Sequence, residues 1–111
     1  EFGRVIGFEN HSGRTYLGKG VAPLGKMVSG YGNNGRDGTE GVHYKNTFCT
    51  YSHGPVLPKN PALADKLIET AMRRRDPSFV LTRLDDSAEG FARDQVERLY
   101  IHQQSGKKHK K

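Results

Sequence analysis

A histidine that ends a run of β-forming residues and precedes Gly-Pro is well placed for acid–base chemistry, and this sequence has one in Thr50-Tyr51-Ser52-His53-Gly54-Pro55. In open α/β sheets, ligands bind where the carboxyl ends of strands meet loops. An unperturbed imidazole titrates near about 6.5, so His53 at such a place can take or give a proton close to neutrality. By itself a lone histidine before Gly-Pro is more often structural, and the residue types leave both readings open. Cys49, four residues earlier, invites a Cys-His nucleophile pair, which needs thiol and imidazole within hydrogen-bond reach. Residues four apart on one strand are separated by about 13 Å, at about 3.3 Å per residue. The expectation is therefore that Cys49 is a small buried core residue.

Two other patterns carry less. His11, His43, Cys49 and His53 are potential zinc ligands, but none pairs with another at the close spacing of a helix or knuckle site, so no metal is expected. Gly30-Tyr31-Gly32-Asn33-Asn34-Gly35 fits the Gly-x-Gly-x-x-Gly expression, which cradles a pyrophosphate only where it joins a strand to a helix. Here the next element reads as strand. A flexible or tightly turning loop, over a site or at a partner surface, is the expectation.

The elements that must position these residues follow from local pattern. Residues 4–9 read as a strand, Asn10-His11-Ser12-Gly13 as a turn and residues 14–17 as a returning strand, which makes a β-hairpin. A Gly-rich stretch from Val21 to Gly41 holds at most a short strand within residues 22–28, and residues 42–51 restore β character. Asn60 is a natural N-cap with Pro61 at the first helical position. Ala64, Leu67, Ile68, Ala71 and Met72 then form one apolar stripe, and Arg73-Arg74-Arg75 closes the helix before Asp76-Pro77. A second helix is expected from Asp86 or Ser87 to about Gln104, with Ala92, Val96, Leu99 and Tyr100 as its apolar side. About three strands are visible, and they leave an open edge unless more sheet precedes Glu1; the chain opens as if in mid-strand.

Composition sets the outer bounds. With 111 residues and 33% hydrophobic content the chain is lean for a self-sufficient core. Its formal net charge is +6, but four of those positive charges sit at Lys107, Lys108, Lys110 and Lys111. Two remain for everything else, which argues against a nucleic-acid face. Residues 105–111 read as a solvated, disordered basic tail and residues 1–104 as one domain part. No apolar run is long enough to span a membrane, no signal peptide is recognisable, and a single cysteine fits a reducing, cytoplasmic setting.

Three segments together are specific: Gly7-Phe8-Glu9-Asn10-His11-Ser12-Gly13-Arg14-Thr15, then Gly35-Arg36-Asp37-Gly38-Thr39-Glu40-Gly41-Val42, then Tyr44-Lys45-Asn46 leading to Thr50-Tyr51-Ser52-His53-Gly54-Pro55. From about Gly3 to about Ile68 the chain resembles the cobyric-acid-synthase-like branch of the class I glutamine amidotransferases, and within it most resembles the cell-wall members. The resemblance implies an α/β fold, the C-terminal part of a flavodoxin-like glutaminase domain, with the β-hairpin, Gly-rich loop, strand and two helices as its pieces.

The same resemblance implies that a cysteine nucleophile attacks the glutamine side-chain amide, with His53 as catalytic base. The nucleophile's Gly-rich elbow has no counterpart in these 111 residues. Asn10, His11 and Gly13 match a segment that lies beside the substrate glutamine, although Asn and Gly explain a turn without any ligand. Many class I relatives carry a glutamate two residues after the histidine; here that position is Pro55, and Glu9 is the candidate orienting acid. The implied partners are the N-terminal half of the same domain and a Mur-ligase-like synthetase subunit, which would bind ATP and magnesium, this chain itself needing no cofactor. The implied product is ammonia, used to amidate the D-glutamate of the lipid II stem peptide to D-isoglutamine in peptidoglycan synthesis. Amidation of a corrinoid is the alternative acceptor, and a non-catalytic interaction module is the alternative of another class.

Overall fold

The computed structural model of the protein describes residues 3–101, which fall into two units of different construction. Among the described residues all the strands lie in Gly7–Gly54; residues 3–6 and 55–101 form a helical unit.

The first unit is held by three short antiparallel ribbons. β1 (Phe8–Glu9) pairs with β6 (Ser52–His53), β2 (Gly25–Lys26) with β3 (Thr39–Glu40), and β4 (Val42–Tyr44) with β5 (Thr47–Cys49). The hairpin expected of residues 4–9 and 14–17 does not form. Thr15 shows why, because both of its backbone groups are already engaged: its N–H donates to the Asn33 carbonyl at 2.6 Å and its carbonyl accepts from the Asn34 amide at 2.9 Å. A backbone group so used cannot also enter a ladder.

Asn33 and Asn34, 1% and 2% exposed, are the centre of this unit. The Asn33 side chain donates to Thr39 Oγ1 and the Gly41 carbonyl and accepts from the Gly41 N–H. Asn34 Oδ1 accepts from the N–H groups of Arg36 and Asp37, while its amide donates to Asp37 Oδ2. The Gly-rich loop is thus tightly turned, its buried polar groups satisfied by one another. It also contains β3, which composition concealed.

The β segment read over residues 42–51 is a hairpin that ends at Cys49, and a separate strand, β6, begins past it at Ser52. The chain reverses at Lys45-Asn46, where Lys45 takes φ 53°, the left-handed conformation that two-residue hairpin turns require. His43 and Phe48, opposite one another in the ladder, stack with ring centroids 4.4 Å apart. Cys49 is exposed rather than part of a core, because β5 is one arm of a two-stranded ribbon and not a buried central strand.

In the helical unit, α1 (Val56–Lys59) has no clear signal in the sequence. α2 (Pro61–Arg73) starts and stops where Asn60-Pro61 and Asp76-Pro77 predict. Asn60 stands at the N-cap position but makes no capping bond with its side chain. It is 1% exposed, accepts the Ile6 N–H at 2.8 Å and donates to the Ile6 and Val56 carbonyls at 2.7 Å each, so it pairs with an extended segment as a neighbouring strand would. The buried side of α2 is centred on Leu63, 3% exposed; Ile68 and Met72 of the expected stripe are 49% and 41% exposed. α3 (Ser87–Val96) begins as expected and widens into a π-helical turn over Glu97–Ile101. Arg4 reaches this region, pairing with Glu97 through its guanidinium and accepting from Arg93 at its carbonyl. The last residues assigned to that helix, and the basic tail, lie outside the described residues.

Candidate functional site

The β1–β6 ribbon sets the orientation of His53. Its register places Phe8 opposite His53 and Glu9 opposite Ser52. Gly7 makes so close a pairing possible, since a Cβ there would lie 2.7 Å from Ser52 Cβ and 3.0 Å from the His53 carbonyl. His53 is exposed at the end of the strand, and Gly54, at φ 84°, turns the chain away behind it. Successive side chains alternate across a strand, so Glu9 projects from the face opposite to His53.

Glu9 has other partners. Its two carboxylate oxygens accept the N–H groups of Tyr31 and Gly32 at 2.7 and 2.6 Å, which ties β1 to the Gly-rich loop. His11 lies alongside, Nε2 3.6 Å from Glu9 Oε1 and Nδ1 3.0 Å from the Gly13 carbonyl. The imidazole is stacked on Tyr51, centroids 3.7 Å apart and planes 6° from parallel, and meets Tyr31 edge-on at 5.8 Å. The Tyr51 hydroxyl and Thr15 Oγ1 are 2.6 Å apart. Glu9, His11, Ser12, Arg14 and Tyr31 line an open cleft. His11 Nε2 is buried there without a hydrogen bond.

A second carboxylate works on the approach to His53. Glu40, on β3, accepts the Tyr51 N–H at 2.7 Å and the Thr50 hydroxyl at 3.0 and 3.1 Å. Thr50 Oγ1 in turn accepts the Ser52 N–H at 3.0 Å. Thr50 and Tyr51, which belong to no ladder, are therefore fixed by side-chain bonds, and Ser52, paired with Glu9 in β6, receives one more.

Of the residues singled out in the sequence, the structure gathers Glu9, His11 and Gly13 around the cleft. Asn10 is exposed at its edge in sequence, between Glu9 and His11. It does not bring Glu9 to His53: the strand register separates the two, and the Glu9 carboxylate is engaged by the loop. Among the described residues, no three of His, Cys, Asp or Glu gather as metal ligands. Glu40, Tyr31, Arg14 and Tyr51 belong to the arrangement without having stood out in the sequence. Tyr51 is two residues before the histidine and open to notice; Glu40 and Tyr31 act across 11 and 22 residues of sequence, where no local spacing rule applies.

Comparison with known proteins bears on what this arrangement is for. Over 88 residues the chain is 50% identical to the Lipid II isoglutaminyl synthase (glutamine-hydrolyzing) subunit GatD of Staphylococcus aureus (strain N315), covering 79% of this chain and 35% of that protein. It is 52% identical over 69 residues to the subunit of the same name from Streptococcus pneumoniae (strain ATCC BAA-255 / R6), covering 62% of this chain and 26% of that protein. The chain thus spans about a third or less of these curated relatives. Residues 2–61, which include the cleft, Glu40 and His53, match the CobB/CobQ-like glutamine amidotransferase domain, and the chain belongs to that family.

Proposed function

We propose that His53 is the general base of a glutamine-hydrolysing site whose cysteine nucleophile is supplied from outside these 111 residues. The observation that carries the reading is the half identity, over 88 residues, to a subunit named for glutamine hydrolysis. An exposed imidazole at a strand end, its backbone clamped on the preceding side, suits that role. It takes the thiol proton, then protonates the departing ammonia and activates the water that clears the thioester. The cleft at Glu9, His11, Ser12, Arg14 and Tyr31 lies in the same unit and is the part of this chain offered to glutamine, with Asn10 and Gly13 on its bounding turn. We further propose that ammonia passes to a Mur-ligase-like synthetase partner in the cytoplasm, that ATP and magnesium belong to that partner, and that the acceptor is the D-glutamate of lipid II. The two relatives favour this acceptor over a corrinoid, which only the family description would support. Among the described residues no helix is long and apolar enough to cross a membrane.

The test uses the full-length subunit with its synthetase. His53→Ala is expected to abolish glutamine-dependent amidation and leave ammonia-dependent amidation largely intact, since free ammonia bypasses every step the imidazole serves. General acid–base help is typically worth about 10² to 10⁴ in rate. Loss of both activities in an assembled complex would instead assign His53 to the synthetase site or the interface.

A further inference from the structure

We infer that Glu40 is a positioning residue for His53, acting through the backbone of Thr50-Tyr51-Ser52. This rests on His53 being the base. The ribbon that carries His53 is two residues long on each strand, and a ladder so short does little to fix where its end points. The segment before it carries no strand of its own between Cys49 and Ser52, yet it is held: the Glu40 carboxylate receives the Tyr51 N–H and the Thr50 hydroxyl, and Thr50 Oγ1 receives the Ser52 N–H. Glu40 is itself anchored at both ends of its own segment. Its strand pairs with β2, Thr39 is bonded to Asp37 and Asn33, and Gly41 is bonded to the buried Asn33 amide. A carboxylate rooted in the most buried polar network of this unit thereby sets the direction in which the chain enters β6.

The bond that matters is acceptance of the Tyr51 N–H, which a neutral amide oxygen can also provide. Glu40→Ala in the full-length subunit with its synthetase is expected to lower glutaminase kcat by about 10- to 100-fold, the scale on which small misplacements of a reacting group act. KM for glutamine should change by less than about threefold, and ammonia-dependent amidation should be unaffected. Glu40→Gln is expected to return kcat to within about threefold of wild type. Thr50→Val, which removes only the second half of the clamp, should cost about 3- to 10-fold and serves as the test if Glu40→Ala does not fold. Equal losses in Glu40→Ala and Glu40→Gln with intact assembly would show that the charge is what counts and overturn the inference. So would wild-type kcat in Glu40→Ala, or in Thr50→Val, while His53→Ala is inactive. Full glutaminase activity in His53→Ala would sink the base reading first, and this inference with it, so the two failures are told apart.

Discussion

Asn34 shows how much of this protein's order rests on single polar side chains. Its amide and carbonyl together make four hydrogen bonds from a position 2% exposed. Asn34→Ala leaves the Arg36 and Asp37 N–H groups and the Thr15 carbonyl without their partner, so a loss of about 2–4 kcal/mol is expected in the unfolding free energy of the full-length subunit, measured by urea titration. Asp37 gives the same loop a pH dependence. The Thr39 hydroxyl first, then the Asn34 amide and the Thr39 N–H, hold its carboxyl below the usual range. A depressed carboxylate stabilises the fold fully above its unfolded pKa of about 3.9 and loses that contribution as pH falls through the lower folded value. Amide protection factors at Gly35 to Thr39, taken relative to the intrinsic exchange rate at each pH, should accordingly fall below about pH 4 in the wild type and show no such step in Asp37→Asn. Cys49 makes the opposite prediction: exposed on β5, it should accept serine with glutaminase activity unchanged within about twofold. A complete loss would make it the nucleophile. The expectation of burial fails at Cys49 because propensity for the interior is a property of the residue type, whereas exposure here is decided by the absence of a neighbour on that face of a two-stranded ribbon.

At the scale of elements, α2 and the start of α3 were legible, and α1 and the strand pairings were not. Helix ends are written in local chemistry: Pro61 at the first turn and Asp76-Pro77 past the last fix α2, and Ser87 after the Asp85 carboxylate that accepts its N–H opens α3. The pairing of Phe8–Glu9 with Ser52–His53 joins segments far apart in the chain, and its only sequence trace is Gly7, which reads as one more residue of a strand until the partner strand it must admit is known. The same holds for the passage from β3 to β4. Gly41 sits at φ 66°, and a Cβ there would collide with the Cys49 carbonyl. Gly41→Ala combines left-handed strain of about 1–2 kcal/mol with a clash against backbone that cannot swing aside. A total loss of about 2–4 kcal/mol is expected, along with reduced glutaminase kcat, because Glu40 is the adjacent residue. Unchanged stability would mean that β4 and β5 are free to separate at Cys49.

At the scale of the whole chain, the buried side chains are few and largely polar. Among the described residues Ile6 and Leu63 are the buried hydrophobics, beside Asn33, Asn34 and Asn60. Large apolar groups remain at the surface of the helical unit, with Phe91 69% and Ile68 49% exposed. Two fully buried hydrophobic side chains make a small apolar core for a chain of this length. Residues 1–111 produced alone should therefore melt without a cooperative transition and bind a hydrophobic dye, and they should release no glutamate from glutamine. Within the full-length subunit the same segment should melt with the rest, and Ile68→Asp and Phe91→Asp, neutral if these side chains face water there too, should each lower the melting temperature if other parts of the protein cover them. A sharp melt of the isolated 111 residues with a native-like near-ultraviolet spectrum would refute the argument, because it would mean that the polar networks around Asn33, Asn34 and Asn60 suffice to hold the fold without an apolar core.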